Sequence, residues 1–187
     1  TQEGSSAILD GFTLTGSSQY GIFMDNYSKP TLRNLVINNK KKGIFLQYDC
    51  DVTITNVTIT DNEYGIYFNS SQSNVTLTNS IIWDHTSVPI YIDAGSGITI
   101  TYSDIEGGEI NIGGSGDVTW GTGNITGNPL FCDTDNNDYS LASNSPAIGM
   151  GALGVGCGEL EDTGYYGPWY VSVNGSDSNG DGTESSP

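Results

Sequence analysis

Apolar and polar positions recur along this chain on a fixed beat. Gly21-Ile22-Phe23, Gly43-Ile44-Phe45 and Gly65-Ile66-Tyr67 follow one another at intervals of 22 residues. A second phrase keeps nearly the same interval: Leu32-Arg33-Asn34-Leu35-Val36-Ile37 returns as Ile54-Thr55-Asn56-Val57-Thr58-Ile59 and then as Leu77-Thr78-Asn79-Ser80-Ile81-Ile82. Each period holds two short strands rich in β-branched residues and no helical spacing. Self-similarity at this period marks stacked repeats, so the pattern predicts an all-β solenoid with one coil per period.

In such a solenoid equivalent positions stack at the strand spacing of about 4.8 Å, and identical residues form ladders along the rod. Asn34, Asn56 and Asn79 are expected to form one, because Asn tolerates a left-handed corner and its amide bonds to turn groups of the adjoining coil. The first coil, residues 7–28, matches Leu9, Phe12 and Leu14 to Leu32, Leu35 and Ile37, with Gly11 in the Asn position. Leu14, Ile37, Ile59, Ile82 and Ile105 are predicted to form one buried stack, and Ile22, Ile44, Ile66, Ile90 and Ile110 a facing one. Each such burial contributes roughly 1.5 to 3 kcal/mol, so the rod needs no globular centre.

After Asn74 the beat loosens. Gly-Ile gives way to Pro89-Ile90-Tyr91-Ile92 and Glu109-Ile110-Asn111-Ile112, and a Gly-rich stretch ends in Asp117-Val118-Thr119-Trp120, read as a short last coil with an aromatic lid. The expected boundaries are 1–127 for the coils, 128–167 for a C-terminal cap and 168–187 for a joint and the start of a following module. A solenoid that ends in an open strand edge over an exposed core needs a cap, and residues 128–167 carry no repeat phrase. Cys132 and Cys157 bracket most of that segment, with Cys50 left at a coil corner. A Cys132–Cys157 bridge would close the segment on itself; a pair of free thiols is the alternative.

Composition adds a partner constraint. The formal net charge is −17, which disfavours nucleic acid and anionic membrane surfaces. Lys29, Arg33, Lys40, Lys41 and Lys42 are the only basic side chains, and all fall early. They read either as a solvated loop or as a basic spot at one end of a rod whose other end carries Glu159, Glu161 and Asp162, an arrangement that favours head-to-tail contact with a second copy. The sequence carries no transmembrane run and no signal peptide, and its low Lys content with abundant Asn, Thr, Gly and Tyr fits an extracellular or cell-surface protein.

Three kinds of site are candidates. Asp177, Asn179 and Asp181 place oxygen ligands at alternate positions around Gly180, as in the first half of a calcium loop; a plain acidic turn is the competing reading. Asp133 and Asp135, with Asn137, form a weaker oxygen set for the same cation. Tyr20, Tyr64 and Tyr67 offer aromatic faces to a glycan, although outward Tyr is also ordinary strand filling. A carboxylate pair for hydrolysis could come from Asp49, Asp51, Asp61 or Asp84 only if folding brought two together. His85 reads as a loop histidine rather than a general base.

The run Asn128-Pro129-Leu130-Phe131, Asp138-Tyr139-Ser140-Leu141, Ser145-Pro146-Ala147-Ile148-Gly149 and Asp162-Thr163-Gly164-Tyr165-Tyr166-Gly167 resembles the ending of bacterial secreted right-handed parallel β-helix proteins. Tyr102-Ser103-Asp104-Ile105-Glu106-Gly107-Gly108 resembles the coil before that ending. Over residues 7–127 the similarity is to the wider pectate-lyase-like superfamily, though the Asn-Thr-Asp, Gly-His-Gly and Arg-Ile-Lys phrases of its polygalacturonases are absent. The tail from Trp169 resembles the opening of another such module, after a joint at Gly167-Pro168. The resemblance implies a right-handed parallel β-helix of five to six coils, one module of a tandem array. The expected role is a non-catalytic rod in a surface or filament protein, with a polysaccharide lyase, a hydrolase or a carbohydrate-binding helix as alternatives.

Overall fold

The computed structural model describes residues 7–69 and 71–161. The first coil contributes β1 (Ile8–Asp10), β2 (Thr13–Leu14) and β3 (Ser18–Met24); the second contributes β4 (Thr31–Ile37) and β5 (Lys40–Leu46). β6 (Asp51–Thr60) and β7 (Tyr64–Phe68) form the third, and β8 (Asn74–Thr78), β9 (Ile81–Trp83) and β10 (Ile90–Ile92) the fourth. β11 (Gly97–Thr101), β12 (Asp104–Ile105) and β13 (Gly113–Gly114) follow, then β14 (Asp117–Trp120). One sheet runs β1-β4-β6-β8-β11-β14 and a second runs β13-β10-β7-β5-β3, with every pairing parallel. The chain is therefore a parallel β-solenoid of about five coils.

The register puts like on like. Leu35 pairs with Val57, and Ile37 with Ile59; Ile59 then pairs with Ile82 and Ile82 with Ile105. On the facing sheet Ile22 pairs with Ile44, Ile44 with Ile66 and Ile66 with Ile90. Among these Ile37, Ile44, Ile59, Ile66, Ile82, Ile90 and Ile105 are fully buried in one continuous core. Ile110 is a correction to the predicted stack, being 97% exposed in a 3₁₀ turn. Gly107 and Gly108, both at φ 69°, turn the chain outward there, and Tyr91 pairs with Gly113, so Ile112 takes the place next to Ile90.

The glycine of the Gly-Ile phrase is dictated by packing. A Cβ on Gly43 would lie 2.7 Å from the Gly65 carbonyl oxygen and 2.8 Å from Ile59 Cγ2, and one on Gly21 would meet Gly43 and Ile37 as closely. Within these strands the next coil and the facing isoleucine approach so closely that only a hydrogen fits. The Asn corners have the other cause that was expected: Asn34, Asn56 and Asn79 sit at φ 54°, 53° and 49°, in the left-handed region.

Residues 128–161 carry a small sheet of their own, β15 (Phe131–Asp133), β16 (Asp138–Ala142) and β17 (Val155–Cys157). They lie along a flank of the rod, against its third and fourth coils. Val36, Thr58, Ile81 and Asp104 pair in one column that alternates with the inward column Ile37, Ile59, Ile82 and Ile105, and so points away from the solenoid core. All four are nevertheless buried. Ile81 packs with Leu141, Ala147, Phe131 and Met150 in a second, separate apolar cluster, which also takes in Trp83 and Ile125.

Candidate functional site

Three surfaces of the rod carry side chains in register. The first is the outer face of the second sheet. Tyr20, Phe23, Phe45, Tyr67 and Tyr91 line up along the rod axis, with ring centroids 4.6 Å apart for Tyr20–Phe45, 5.6 Å for Phe23–Phe45, 5.9 Å for Phe45–Tyr67 and 4.8 Å for Tyr67–Tyr91, all stacked. Tyr64 meets Tyr67 edge-on at 5.0 Å. Lys42 Nζ lies 4.1 Å from the Tyr67 centroid and 5.0 Å from that of Phe45. The sequence expectation for Tyr20, Tyr64 and Tyr67 was a sugar platform, and the structure does bring the three together. Yet the rings face one another, coil over coil, and spend their faces on stacking and on Lys42.

The basic spot is likewise redistributed. Lys29 is paired with Asp51 at 2.5 Å and Arg33 with Asp10 at 2.8 Å. The Asn34 amide, then Arg33, hold Asp10 below the ordinary carboxylate range. Lys40 is buried and donates to the carbonyls of Thr15 and Gly16 at 2.7 and 2.5 Å. Lys40, Lys41 and Lys42 are thus the start of strand β5, not a solvated loop, and among them Lys41 is exposed.

The second surface is the outer face of the first sheet. Thr31, Thr53, Thr76, Thr99 and Thr119 pair in succession, and Thr55, Thr78 and Thr101 form a parallel column two residues along. The Thr78 and Thr101 hydroxyls are 3.1 Å apart. Sequence reasoning missed this array, though the signal was there: Thr53-Ile54-Thr55, Thr76-Leu77-Thr78 and Thr99-Ile100-Thr101 repeat on the beat.

The third is the corner between the sheets, where the flanking segment docks. A chain of amide-to-side-chain bonds climbs the coils: Lys40 N donates to Asn62 Oδ1 at 2.9 Å, Asn62 N to His85 Nδ1 at 3.3 Å, and His85 N to Glu106 Oε2 at 3.3 Å. Ser80, Ser103 and Asn124 form a second such chain, with Val57 N, Ser80 N and Ser103 N donating at 3.2, 3.1 and 3.0 Å. His85 is held as the neutral imidazole: burial pulls its pKa down to about 4, against the weaker opposing effect of its bonds with Asn62 and Ile59. This fits a structural histidine.

Beside that corner Asp61 accepts a 2.6 Å bond from the Tyr139 hydroxyl, and Asn39 donates to Asn137 Oδ1 at 3.4 Å. Folding has brought Asp61 and Asp84 together on adjacent coils. Burial, then the Asp61 and Glu106 charges, raise the Asp84 carboxyl. Burial and the same Asp61 also push the Tyr139 hydroxyl up. A shallow cleft of about 560 Å³ opens next to them, lined by Ser18, Asn39, Lys41, Asp61, Glu63 and Thr86 among others.

The Asn ladder is bonded only in its first half: Asn34 Nδ2 donates to Asp10 Oδ1 at 2.8 Å and Asn56 Nδ2 to Asn34 Oδ1 at 3.4 Å. Asn79 instead offers its backbone carbonyl to Gly151 N of the flanking segment at 2.7 Å. Cys132 and Cys157 are bridged, and Cys50 is a buried free thiol bonded to the Gln47 carbonyl. Asp133 turns both carboxylate oxygens onto Asn136 and caps the 3₁₀ turn Thr134–Asn136, which also holds Asp135. Among the described residues no three His, Cys, Asp or Glu side chains converge as a metal site. Asp177, Asn179 and Asp181, like the joint at Gly167-Pro168 and the module after it, lie outside the described residues.

Compared with known families, the chain matches the one described as right-handed beta helix region, over residues 1–146. No curated protein and no solved structure matches it.

Proposed function

Since the chain belongs to the family of right-handed β-helix regions, we propose that it is a non-catalytic rod module of an extracellular surface or filament protein, one that joins end to end with a second copy. The observation that carries this reading is the distribution of charge and of half-covered apolar side chains along the rod. Phe12, which stands where the second coil has the fully buried Leu35, is 54% exposed, and Leu9, Leu14 and Ile22 are only half-buried. At the far end Ile112, Val118 and Trp120 are also only partly buried against the core. Head-to-tail contact would cover one open column with the other, and repeating one heterologous contact makes a fibre. Every Lys and Arg lies in the first two coils, so the two ends also differ in charge in the sense that favours such contact.

The expected result is a mass that grows with concentration in light scattering, and a Phe12→Asp variant that stays monomeric. A wild-type chain that is monodisperse and monomeric across the whole concentration range overturns the reading. Calcium at Asp177, Asn179 and Asp181 belongs to the same proposal; it predicts a calcium-dependent shift in mass or melting that Asp181→Asn removes.

A second reading is favoured by the threonine array. Its columns are spaced by about 4.8 Å across coils and roughly 6.7 Å along each strand. That grid of methyls and hydroxyls is comparable to the oxygen spacing on a face of hexagonal ice. Thermal hysteresis and ice-crystal shaping, lost in Thr76→Tyr and Thr99→Tyr, would support it, and normal ice growth in the presence of the native chain would remove it.

A further inference from the structure

Asp104 is the one residue of the covered column that does not suit its place. It is fully buried, and neither carboxylate oxygen has a well-formed hydrogen bond, the Gly127 amide offering only a weak one. It lies at the seam between the coils and the flanking segment: it pairs with Ile81 on one side and bridges Ile125 on the other, and both of those side chains belong to the apolar cluster under the segment. An ionised carboxylate in such a place costs far more than a neutral acid does.

The surroundings offer nothing to neutralise it. Its ladder neighbours are Ile81 and Ile125, with Gly127 beside it, and those two isoleucines pack in turn with Phe131, Leu141, Ala147 and Met150. The titratable groups nearby in the fold are Asp84 and His85 after β9, Glu106 on the same coil, and Asp61 and Tyr139 where the segment meets the third coil. No Lys or Arg follows Lys42 anywhere in the chain, and His85 is uncharged above about pH 4. Only the Gly127 amide works against burial, which raises the Asp104 carboxyl to about 7.

Besides that apolar cluster, the contacts that hold the segment down are a few hydrogen bonds. Gly151 N bonds to the Asn79 carbonyl at 2.7 Å, Ala152 N to Thr58 Oγ1 at 3.0 Å, and Tyr139 to Asp61. We propose that residues 128–161 form a pH-responsive strap, docked on the flank of the rod while Asp104 holds its proton and lifted when Asp104 ionises, so that the Ile81 column becomes accessible. Asp84, whose carboxyl is raised by burial and then by the Asp61 and Glu106 charges, acts in the same direction at the other edge of the strap, because its ionisation adds repulsion there.

The sign is fixed by linkage. The docked state binds the Asp104 proton more tightly than the lifted state, whose carboxyl titrates near 3.8, so docking weakens as pH rises between those limits and levels off above about 7.

The test is amide exchange at the Gly151–Ala152 peptide in the native chain and in Asp104→Asn, compared at equal pH so that intrinsic exchange cancels. The gap in protection between the variant and the native chain should widen by on the order of a hundredfold from pH 5 to pH 8. An equal gap at every pH overturns the proposal. Should Asp104→Asn fold poorly, the native chain alone decides: protection of that peptide, corrected for intrinsic rate, must fall over this range while that of the β6–β8 ladder does not.

Discussion

The coils and the strap are built on opposite principles. In the coils the inward side chains stack on others of their own kind, so most core contacts recur from one level to the next. The strap makes each of its contacts once: one carbonyl at Asn79, one hydroxyl at Thr58, one carboxylate at Asp61, and a small apolar cluster around Ile81. Repetition averages out local misfits, whereas a single docking surface retains them. The buried carboxylate and the close acidic pair both lie where strap meets coil.

Breaking a repeated column should cost most. Leu77→Ala, in the middle of the fully buried core, is expected to lower global stability by about 2 to 5 kcal/mol, read from the urea midpoint with the slope unchanged. Gly43→Ala should fall in the same range or prevent folding, since its Cβ has no room at the Gly65 carbonyl. A loss below about 1 kcal/mol for both would mean that the coils are not close-packed.

Reducing the Cys132–Cys157 bridge, or replacing both residues by Ser, should lower stability by roughly 3 kcal/mol for its closed loop of sequence separation 25. Because the bridge lies wholly within the strap, exchange should increase in β15, β16 and β17 and leave the coil strands protected. Uniform loss of protection would show that strap and coils unfold as one unit.

The pH profile separates the two regions by sign. His85, depressed to about 4 from 6.5, destabilises the coils as pH falls through that window; Asp104, raised from 3.8 to about 7, destabilises the docked strap as pH rises. Between pH 4 and 6.5 the two slopes oppose each other in the native chain. Asp104→Asn should therefore show stability rising with pH across that window and no decline toward 7. A flat profile in the variant would mean that His85 titrates normally.

Smaller effects are expected at the surface ladders. Asn56→Ala should cost about 1 to 2 kcal/mol, because Ala fits the left-handed corner poorly and the bond to Asn34 is lost. Lys42→Met should cost about 0.5 to 1 kcal/mol through the lost cation–π contacts with Tyr67 and Phe45. An unchanged melting temperature in that variant would mark the lysine as a passenger on the aromatic column.

The repeat was legible wherever one residue type had one local reason to be there. Asn34, Asn56 and Asn79 announced left-handed corners, and Gly21, Gly43 and Gly65 announced points with no room for a side chain. Ile110 misled because two glycines ahead of it, Gly107 and Gly108, add a turn that shifts the register, and nothing in the spacing of Glu109-Ile110-Asn111-Ile112 says which isoleucine faces inward. Tyr20, Tyr64 and Tyr67 were found as a group but not as a stack, since ring orientation depends on the coil above. Asp104 gave no signal at all: in Tyr102-Ser103-Asp104-Ile105 it occupies an outward position, where an aspartate is ordinary.

What the sequence determined alone was the period, and with it the coil, the parallel pairing and the two inward isoleucine columns, because stacking turns a local pattern into a global one. What only the tertiary structure decided was where residues 128–161 come to rest. Their path back along the flank depends on contacts between Thr58 and Ala152, Asn79 and Gly151, and Asp61 and Tyr139, positions 72 to 94 residues apart with no shared period. A non-repeating, long-range docking leaves no trace in local spacing, and so the burial of Asp104, and the titration that follows from it, appear only once the chain is folded.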